Sequence, residues 1–125
     1  MHLDHINIAA PRELIEKVKG FYCAVFDLTE GFRPNFSGSK GYWLYSGDEP
    51  LIHLSIKDHD YGDDVRSHLD HVAFRMTGLG SMMKRLEANG VEYRKYYVPE
   101  IDMTQLFFKD PAGNGLEANF VKETA

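Results

Sequence analysis

Two short sequence patterns each occur twice in this chain. The segment LDHINI at residues 3–8 returns as LDHVAF at 69–74, and LIHLSI at 51–56 returns as GLEANF at 115–120. The two displacements, 66 and 64 positions, are nearly equal. A repeat of this kind indicates one supersecondary unit used twice. Because 125 residues is also the length of one ordinary domain, we predict a single domain built from two related halves.

The first half predicts the order strand, helix, strand, strand, strand. An alternating strand runs from Leu3 to Pro11, and a helix follows in which apolar residues recur at spacings of three and four. Those apolar residues are Leu14, Ile15, Val18, Tyr22 and Val25. A poorly marked second strand, a loop rich in turn formers, and strands at 42–46 and 51–57 complete this half.

The second half predicts the same order of elements. Its strands lie near 69–76, 91–97, 104–109 and 115–121, and its helix near 79–89. Asn89 and Gly90 suit the end of that helix. The acidic stretch at 59–67 is the predicted linker, so the modules cover about residues 1–58 and 68–125. The predicted fold class is therefore α+β, with two βαβββ modules.

The repeated strands have one apolar and one polar face, since side chains alternate along a strand. The apolar face should pack under the helices, and it carries Ile6, Ile8, Ile52, Leu54, Ile56, Val72, Phe74, Met76, Leu116, Ala118 and Phe120. The opposite face is polar or small, and it carries His5, Asn7, His53, Ser55, Lys57, His71, Ala73, Arg75, Glu117 and Asn119.

The polar face predicts a metal site. A coordinating residue stands at the third position of four related segments: His5, His53, His71 and Glu117. Histidine is the commonest side-chain metal ligand, and a set of two histidines and a carboxylate suits first-row divalent ions. The alternative is an open sheet with one solvent-exposed face. This face, however, lacks the mixture of Lys, Glu and Thr that is usual for a solvent-exposed strand face. We therefore predict that residues of this set bind a divalent metal.

Charge and composition exclude several other classes. A net charge of −5 with scattered basic residues provides no phosphate-binding surface, so no nucleic-acid partner is expected.

Cys23 is the single cysteine and lies in an apolar run, which predicts a buried, inert thiol. We expect no signal peptide and no membrane helix, and hence a cytoplasmic protein. His2, His59 and His68 do not repeat and are expected at the surface.

Several motifs together resemble the vicinal oxygen chelate superfamily, which includes glyoxalases, bleomycin-resistance proteins and extradiol dioxygenases. They are LDHI at 3–6, FYCAVF at 21–26, LDHVAF at 69–74, LEANGV at 86–91 and FFKDPAGNGLE at 107–117. The resemblance covers nearly the whole chain. It implies two βαβββ modules forming a curved mixed sheet around a metal pocket, where the substrate chelates the ion. It also implies His5, His71 and Glu117 as the ligands of one divalent metal (Zn, Ni, Mn or Fe).

The chain departs from the best-known members of that superfamily. Glyoxalase I-like enzymes have a ligand Glu at the position of His53, and their glutathione-binding Arg and Asn correspond here to Ala9 and Lys57. Extradiol dioxygenases usually carry a Tyr at the position of Phe107. Fosfomycin-resistance enzymes share the three ligands, and Lys95 falls near their phosphonate-binding Lys. Their Ser-rich loop and downstream Arg have no counterpart, so fosfomycin resistance is not expected.

The predicted function is that of a metal-dependent glyoxalase-like lyase or isomerase acting on a small, oxygenated, anionic substrate. His53 is a fourth ligand, a residue that supports a ligand, or a base, and Glu117 is assigned a catalytic role beside its role as a ligand. We expect four side chains of the polar face to contact the substrate: Asn7, Lys57, Arg75 and Asn119. The alternatives are an Fe(II)-dependent dioxygenase of the same superfamily and a non-catalytic ligand-binding module.

We also expect a homodimer with shared sites. The linker is short, and many two-module relatives place the first half of one chain against the second half of the other. In such a dimer, His5 and His53 of one subunit would meet the partner's His71 and the partner's Glu117.

Overall fold

The computed structural model describes residues 3–35, 38–57, 69 and 71–124. Within these ranges the chain contains eight β-strands and two α-helices. They belong to two compact units, a first unit of Met1–Val65 and a second unit of Arg66–Ala125. The predicted linker at 59–67 and the histidines at positions 2, 59 and 68 lie outside the described residues.

The first unit is a βαβββ module. Strand β1 (Ile6–Ala10) leads into helix α1 (Arg12–Phe26), and strands β2 (Thr29–Gly31), β3 (Gly41–Ser46) and β4 (Glu49–Ile56) follow. They form a mixed sheet in the order β1-β4-β3-β2, in which β1 runs parallel to β4 and the other pairs are antiparallel.

The helix of the first unit follows from its sequence pattern. Pro11 precedes α1 in an extended conformation, and Ile15, Val18, Tyr22 and Val25 are buried at the predicted spacing. The helix ends at Asp27, which has a left-handed φ of 57°, a conformation that short polar side chains tolerate. The helical period therefore places one apolar stripe against the sheet.

The second unit repeats this plan. Strand β5 (His71–Arg75), helix α2 (Leu79–Ala88) and strands β6 (Arg94–Val98), β7 (Met103–Lys109) and β8 (Gly115–Val121) form a second mixed sheet. Its order is β5-β8-β7-β6, again with the first and last strands parallel. The predicted α+β class with two βαβββ modules is confirmed.

The predicted apolar faces supply much of the core of each unit. Ile52 and Leu54 have no exposed surface in the first unit, and neither do Ala118 and Phe120 in the second. Cys23 is half-buried, and burial raises the pKa of its thiol. No helix in the described part of the chain combines the length and apolar character that crossing a membrane requires.

Several predicted strand boundaries are wrong. β1 begins at Ile6 rather than Leu3, so His5 lies just before the strand. β4 begins at Glu49, which shortens the turn to Gly47 and Asp48 because Ser46 pairs directly with Glu49. β6 occupies Arg94–Val98 rather than 91–97. In each case the pairing partner, which the local pattern does not reveal, decides where the ladder starts.

Candidate metal-binding site

The first unit brings His5 and His53 into contact. His53 lies on the central strand β4, where its Cα pairs with Asn7 of β1 on one side and with Trp43 of β3 on the other. The His5 and His53 rings stack with centroids 3.7 Å apart, and the Trp43 ring stacks on His53 at 4.0 Å. Because β1 and β3 flank β4, the His53 ring is held between two parallel rings.

The His53 ring lies in surroundings that disfavour its charged form. Burial lowers the pKa of His53, and the neighbouring His5 lowers it further, against a smaller opposing effect of the Pro50 backbone hydrogen bond. Nε2 is buried and, among the described residues, has no hydrogen-bond partner. In the neutral tautomer that carries its proton on Nδ1, Nε2 therefore has an unused lone pair.

His5 is oriented by its neighbour in the chain. Its Nδ1 lies 2.6 Å from Oδ2 of Asp4, and its side chain is about half as exposed as that carboxylate (38% against 90%). A carboxylate on one ring nitrogen is the usual arrangement that directs the other nitrogen of a histidine toward a metal. Nε2 is therefore the atom of His5 that suits coordination.

The second unit brings His71 and Glu117 into contact. Nε2 of His71 lies 3.1 Å from Oε2 of Glu117, and the Glu117 side chain is only 9% exposed. Two donors at right angles around a metal with bonds of about 2.1 Å lie about 3 Å apart. The separation therefore fits two adjacent ligands of one ion as well as it fits a hydrogen bond.

Gln105 is a site residue that the sequence analysis missed. Its Nε2 donates to Oε1 of Glu117 at 2.5 Å. Gln105 pairs with Asn119 across β7 and β8, so its side chain shares the face that carries the carboxylate. Its position two residues before Phe107, on the same face of the predicted strand, was the available signal, but its partner depends on register, which the sequence does not show.

The turn between β7 and β8, which is part of the FFKDPAGNGLE motif, has a structural role in this chain. The buried carboxylate of Asp110 accepts three hydrogen bonds of 2.9 Å, from the backbone N–H groups of Ala112 and Asn114 and from the Asn114 side chain. Gly113 has a φ of +85°, which favours glycine. This closed turn fixes the β7–β8 register, in which Phe107 lies beside Glu117.

The four predicted substrate contacts divide between the two units. In the first unit, Asn7 accepts a hydrogen bond of 2.9 Å from Ser55, and Lys57 is exposed just after β4. In the second unit, the exposed Arg75 pairs with Asn119 in the sheet register. The buried Asn119 Oδ1 atom has no hydrogen-bond partner in the described part of the chain.

Two side chains near the second pair of ligands lie on different faces. The Arg94 guanidinium sits 5.0 Å from the centroid of the Phe107 ring, a cation–π distance. Lys95 instead pairs with Leu106 and so lies on the face opposite to Glu117. The phosphonate-binding role that the resemblance associates with Lys95 therefore lacks the shared face it would need.

The four predicted ligands thus occur as two pairs, one in each unit. Among the residues 3–35, 38–57, 69 and 71–124, no group of three or more His, Cys, Asp or Glu side chains is close enough to hold a metal ion. Within each pair, however, the two side chains are in contact. In the described part of the chain, Nε2 of His53 is buried without a hydrogen-bond partner, and Nε2 of His71 lies 3.1 Å from Oε2 of Glu117.

Comparisons with the sequences of known proteins indicate one family. The family model described as "Glyoxalase/Bleomycin resistance protein/Dioxygenase superfamily" matches residues 2–118. The protein named Glyoxylase I 4 from Arabidopsis thaliana is 27% identical over 121 residues, which are 92% of this chain and 68% of that protein.

Solved structures share the fold at low identity. A glyoxalase family protein from Bacillus anthracis has a TM-score of 0.76 at 23% identity, covering 98% of this chain and 96% of that chain. A mutant of the fosfomycin resistance protein FosX from Listeria monocytogenes, complexed with Mn(II) and 1S,2S-dihydroxypropylphosphonic acid, has a TM-score of 0.72 at 20% identity, covering 96% and 92%. A glyoxylase/bleomycin resistance protein/dioxygenase domain from Frankia has a TM-score of 0.73 at 22% identity, covering 97% and 98%.

Proposed function

The chain belongs to the glyoxalase/bleomycin resistance protein/dioxygenase superfamily, and we propose that it is a metal-dependent lyase or isomerase of the glyoxalase type. Its substrate is a small, oxygenated, anionic molecule that chelates the metal. The three proposed ligands are His5, His71 and Glu117.

The observation that supports this proposal is the pairing of donors in each unit. His5 contacts His53, and His71 contacts Glu117, at corresponding places of the two βαβββ modules. Neither pair alone is a complete set of protein ligands, since catalytic metal sites usually have three. Together the two pairs supply three ligands and one further imidazole. A bound divalent ion would act as a Lewis acid on a substrate oxygen.

The remaining residues have roles that follow from their chemistry. His53 is proposed to move a proton, because its Nε2 lone pair is buried, unpartnered among the described residues and fixed in direction by ring stacking. Glu117 serves as a ligand and as a second catalytic group. Lys57 and Arg75 bind the anionic group of the substrate, and Asn7 and Asn119 bind its oxygens.

The FosX complex supports the proposed class of substrate. Its small molecule, 1S,2S-dihydroxypropylphosphonic acid, carries neighbouring hydroxyl groups and an anionic group, and it is bound in a protein of the same fold that also holds Mn(II). We do not extend the fosfomycin reaction itself to this chain, because Lys95 lies on the face opposite to Glu117.

Metal analysis tests the proposal. Protein purified without added metal or chelator is expected to contain close to one divalent ion per chain, as measured by inductively coupled plasma mass spectrometry. His5→Ala, His71→Ala and Glu117→Ala should each lower the metal content at least tenfold while circular dichroism shows an intact fold. Glu92→Ala, an exposed carboxylate in the second unit, is the matched control and should keep its metal.

Three outcomes would overturn the proposal or replace it with another. Full metal occupancy in the triple variant His5→Ala, His71→Ala, Glu117→Ala would exclude these ligands. Iron in the purified protein together with uptake of O₂ would instead indicate the Fe(II)-dependent dioxygenase class. Tight ligand binding without metal or turnover would indicate a binding module.

A further inference from the structure

The two oxygens of Glu117 have different partners. Oε1 accepts a hydrogen bond from the Gln105 amide at 2.5 Å, and Oε2 lies 3.1 Å from Nε2 of His71. The side chain is nearly buried, so water does not compete effectively for either oxygen. A carboxylate ligand can bind a metal through one oxygen or through both, and partners of this kind decide which.

We propose that Gln105 is a positioning residue that makes Glu117 a ligand through one oxygen only. The inference rests on the proposed metal site. The Gln105 amide holds Oε1 away from the metal and directs Oε2 to the coordination position beside His71. One coordination position that a two-oxygen carboxylate would occupy is thereby kept for the substrate.

The strand that carries Gln105 gives it the rigidity this role requires. β7 is an inner strand, and the Gln105 backbone pairs with Tyr96 of β6 on one side and with Asn119 of β8 on the other. A neutral amide donor also suits the position. A lysine there would satisfy Oε1 but repel a cation, and an apolar side chain would leave a buried carboxylate oxygen without a partner.

The test measures metal binding rather than activity. Gln105→Met removes the donor and keeps the length of the side chain. We expect its affinity for Mn(II), measured by the paramagnetic resonance of the free ion, to fall about 10–100-fold, as is usual when a residue supporting a ligand is lost. The visible spectrum of bound Co(II) should also change, because Oε1 becomes available as a second donor.

Three further variants make the result specific. Lys109→Met, an exposed position on the same strand, is the matched control and should bind both metals like the unmodified chain. Gln105→Asn shortens the amide by one methylene and should also lose affinity, and it decides the question if Gln105→Met does not fold. In a Glu117→Gln background, assayed at higher metal concentration, Gln105→Met should have no additional effect, since the residue acts through Glu117.

The outcomes separate this inference from the proposed function. An unmodified chain that binds neither Mn(II) nor Co(II) would overturn both. Metal binding by the unmodified chain, with the same affinity and the same Co(II) spectrum in folded Gln105→Met or Gln105→Asn, would overturn the positioning role and leave the proposed metal site standing.

Discussion

The ring of His53 has little freedom to turn. It is stacked between the His5 and Trp43 rings, with interplanar angles of 13° and 11°. Stacking of this kind stabilises the arrangement of the rings beyond what their burial alone contributes. The plane of the His53 ring is therefore set by two separate contacts, and a fixed orientation is the preorganisation that a proton-transfer group needs.

We expect His53→Gln to retain its metal and to lose turnover. Three ligands remain in this variant, which is enough for a catalytic metal site, whereas an amide cannot exchange a proton as an imidazole does. Metal content and the rate with the first substrate found in a screen of small 2-oxo and 1,2-dihydroxy acids are the two measurements. A loss of metal instead would make His53 the fourth ligand, and unchanged metal with unchanged rate would leave it only lining the site.

At the scale of elements, the start of α2 depends on a residue from beyond β8. The Glu123 carboxylate accepts hydrogen bonds of 2.9–3.2 Å from the backbone N–H groups of Gly78 and Leu79. The N-cap residue Gly78 has no side chain that could do this. A negatively charged carboxylate at this end also interacts favourably with the positive end of the helix dipole.

Glu123→Ala is expected to lower the free energy of unfolding by about 1–2 kcal/mol, because the first N–H groups of α2 lose their acceptor. Glu123→Gln keeps one oxygen acceptor and should lose roughly half as much. Urea denaturation measures both, with Glu92→Ala as a control that stays within about 0.5 kcal/mol of the unmodified chain. Equal stability of the alanine variant and the control would contradict the capping role.

The β3–β4 pair has a close approach that only glycine permits. A Cβ added to Gly41 would lie 1.9 Å from the backbone carbonyl oxygen of Leu54. That oxygen belongs to a strand that is paired on both sides, so it cannot move away alone. Gly20, on an exposed part of α1, has nothing within 4 Å of the corresponding position.

The two glycines therefore predict opposite effects of the same substitution. Gly41→Ala should lower the free energy of unfolding by about 3 kcal/mol or more, since the strands must separate. Gly20→Ala should raise it by about 0.5–1 kcal/mol, because alanine is the better helix former. Thermal and urea denaturation of the pair test this, and a stable Gly41→Ala variant would show that the contact relaxes easily.

At the scale of the whole molecule, two units of the same plan each contribute one pair of proposed ligands. In each sheet the first and last strands of the module run side by side in parallel, and the ligand pair lies at that edge of the sheet. We propose that the two pairs meet between subunits of a homodimer, as closed twofold assemblies are the commonest among soluble proteins.

Mixing two inactive variants tests the shared arrangement. Chains carrying His5→Ala and chains carrying Glu117→Ala should, after subunit exchange, form hybrid dimers with one intact site each and recover up to half of the metal per dimer. A mixture of His71→Ala with Glu117→Ala is the matched control and should recover none, because both changes fall in the second unit. No recovery in the first mixture would place complete sites within single chains.

Much of this protein could be predicted from its sequence because the relevant signals are local. Helical and strand periodicity are set by residues two to four positions apart, and they correctly identified the α1 stripe and the apolar faces around Leu54 and Ala118. The repeat itself identified the double βαβββ plan. The second strand of the first half, β2, was expected from the plan of the module but not located, because three exposed residues on an edge strand carry no alternation that could be recognised.

Register and tertiary contact decided the rest. That Trp43 lies on His53, that Gln105 reaches Glu117 and that Glu123 caps α2 all depend on which residues of distant segments stand opposite each other. A hydrogen-bonded ladder sets such pairings through turns, bulges and packing over the whole sheet. The sequence by itself therefore determined the identity of the proposed ligands and the face that carries them, whereas only the tertiary structure determined which side chains hold those ligands in position.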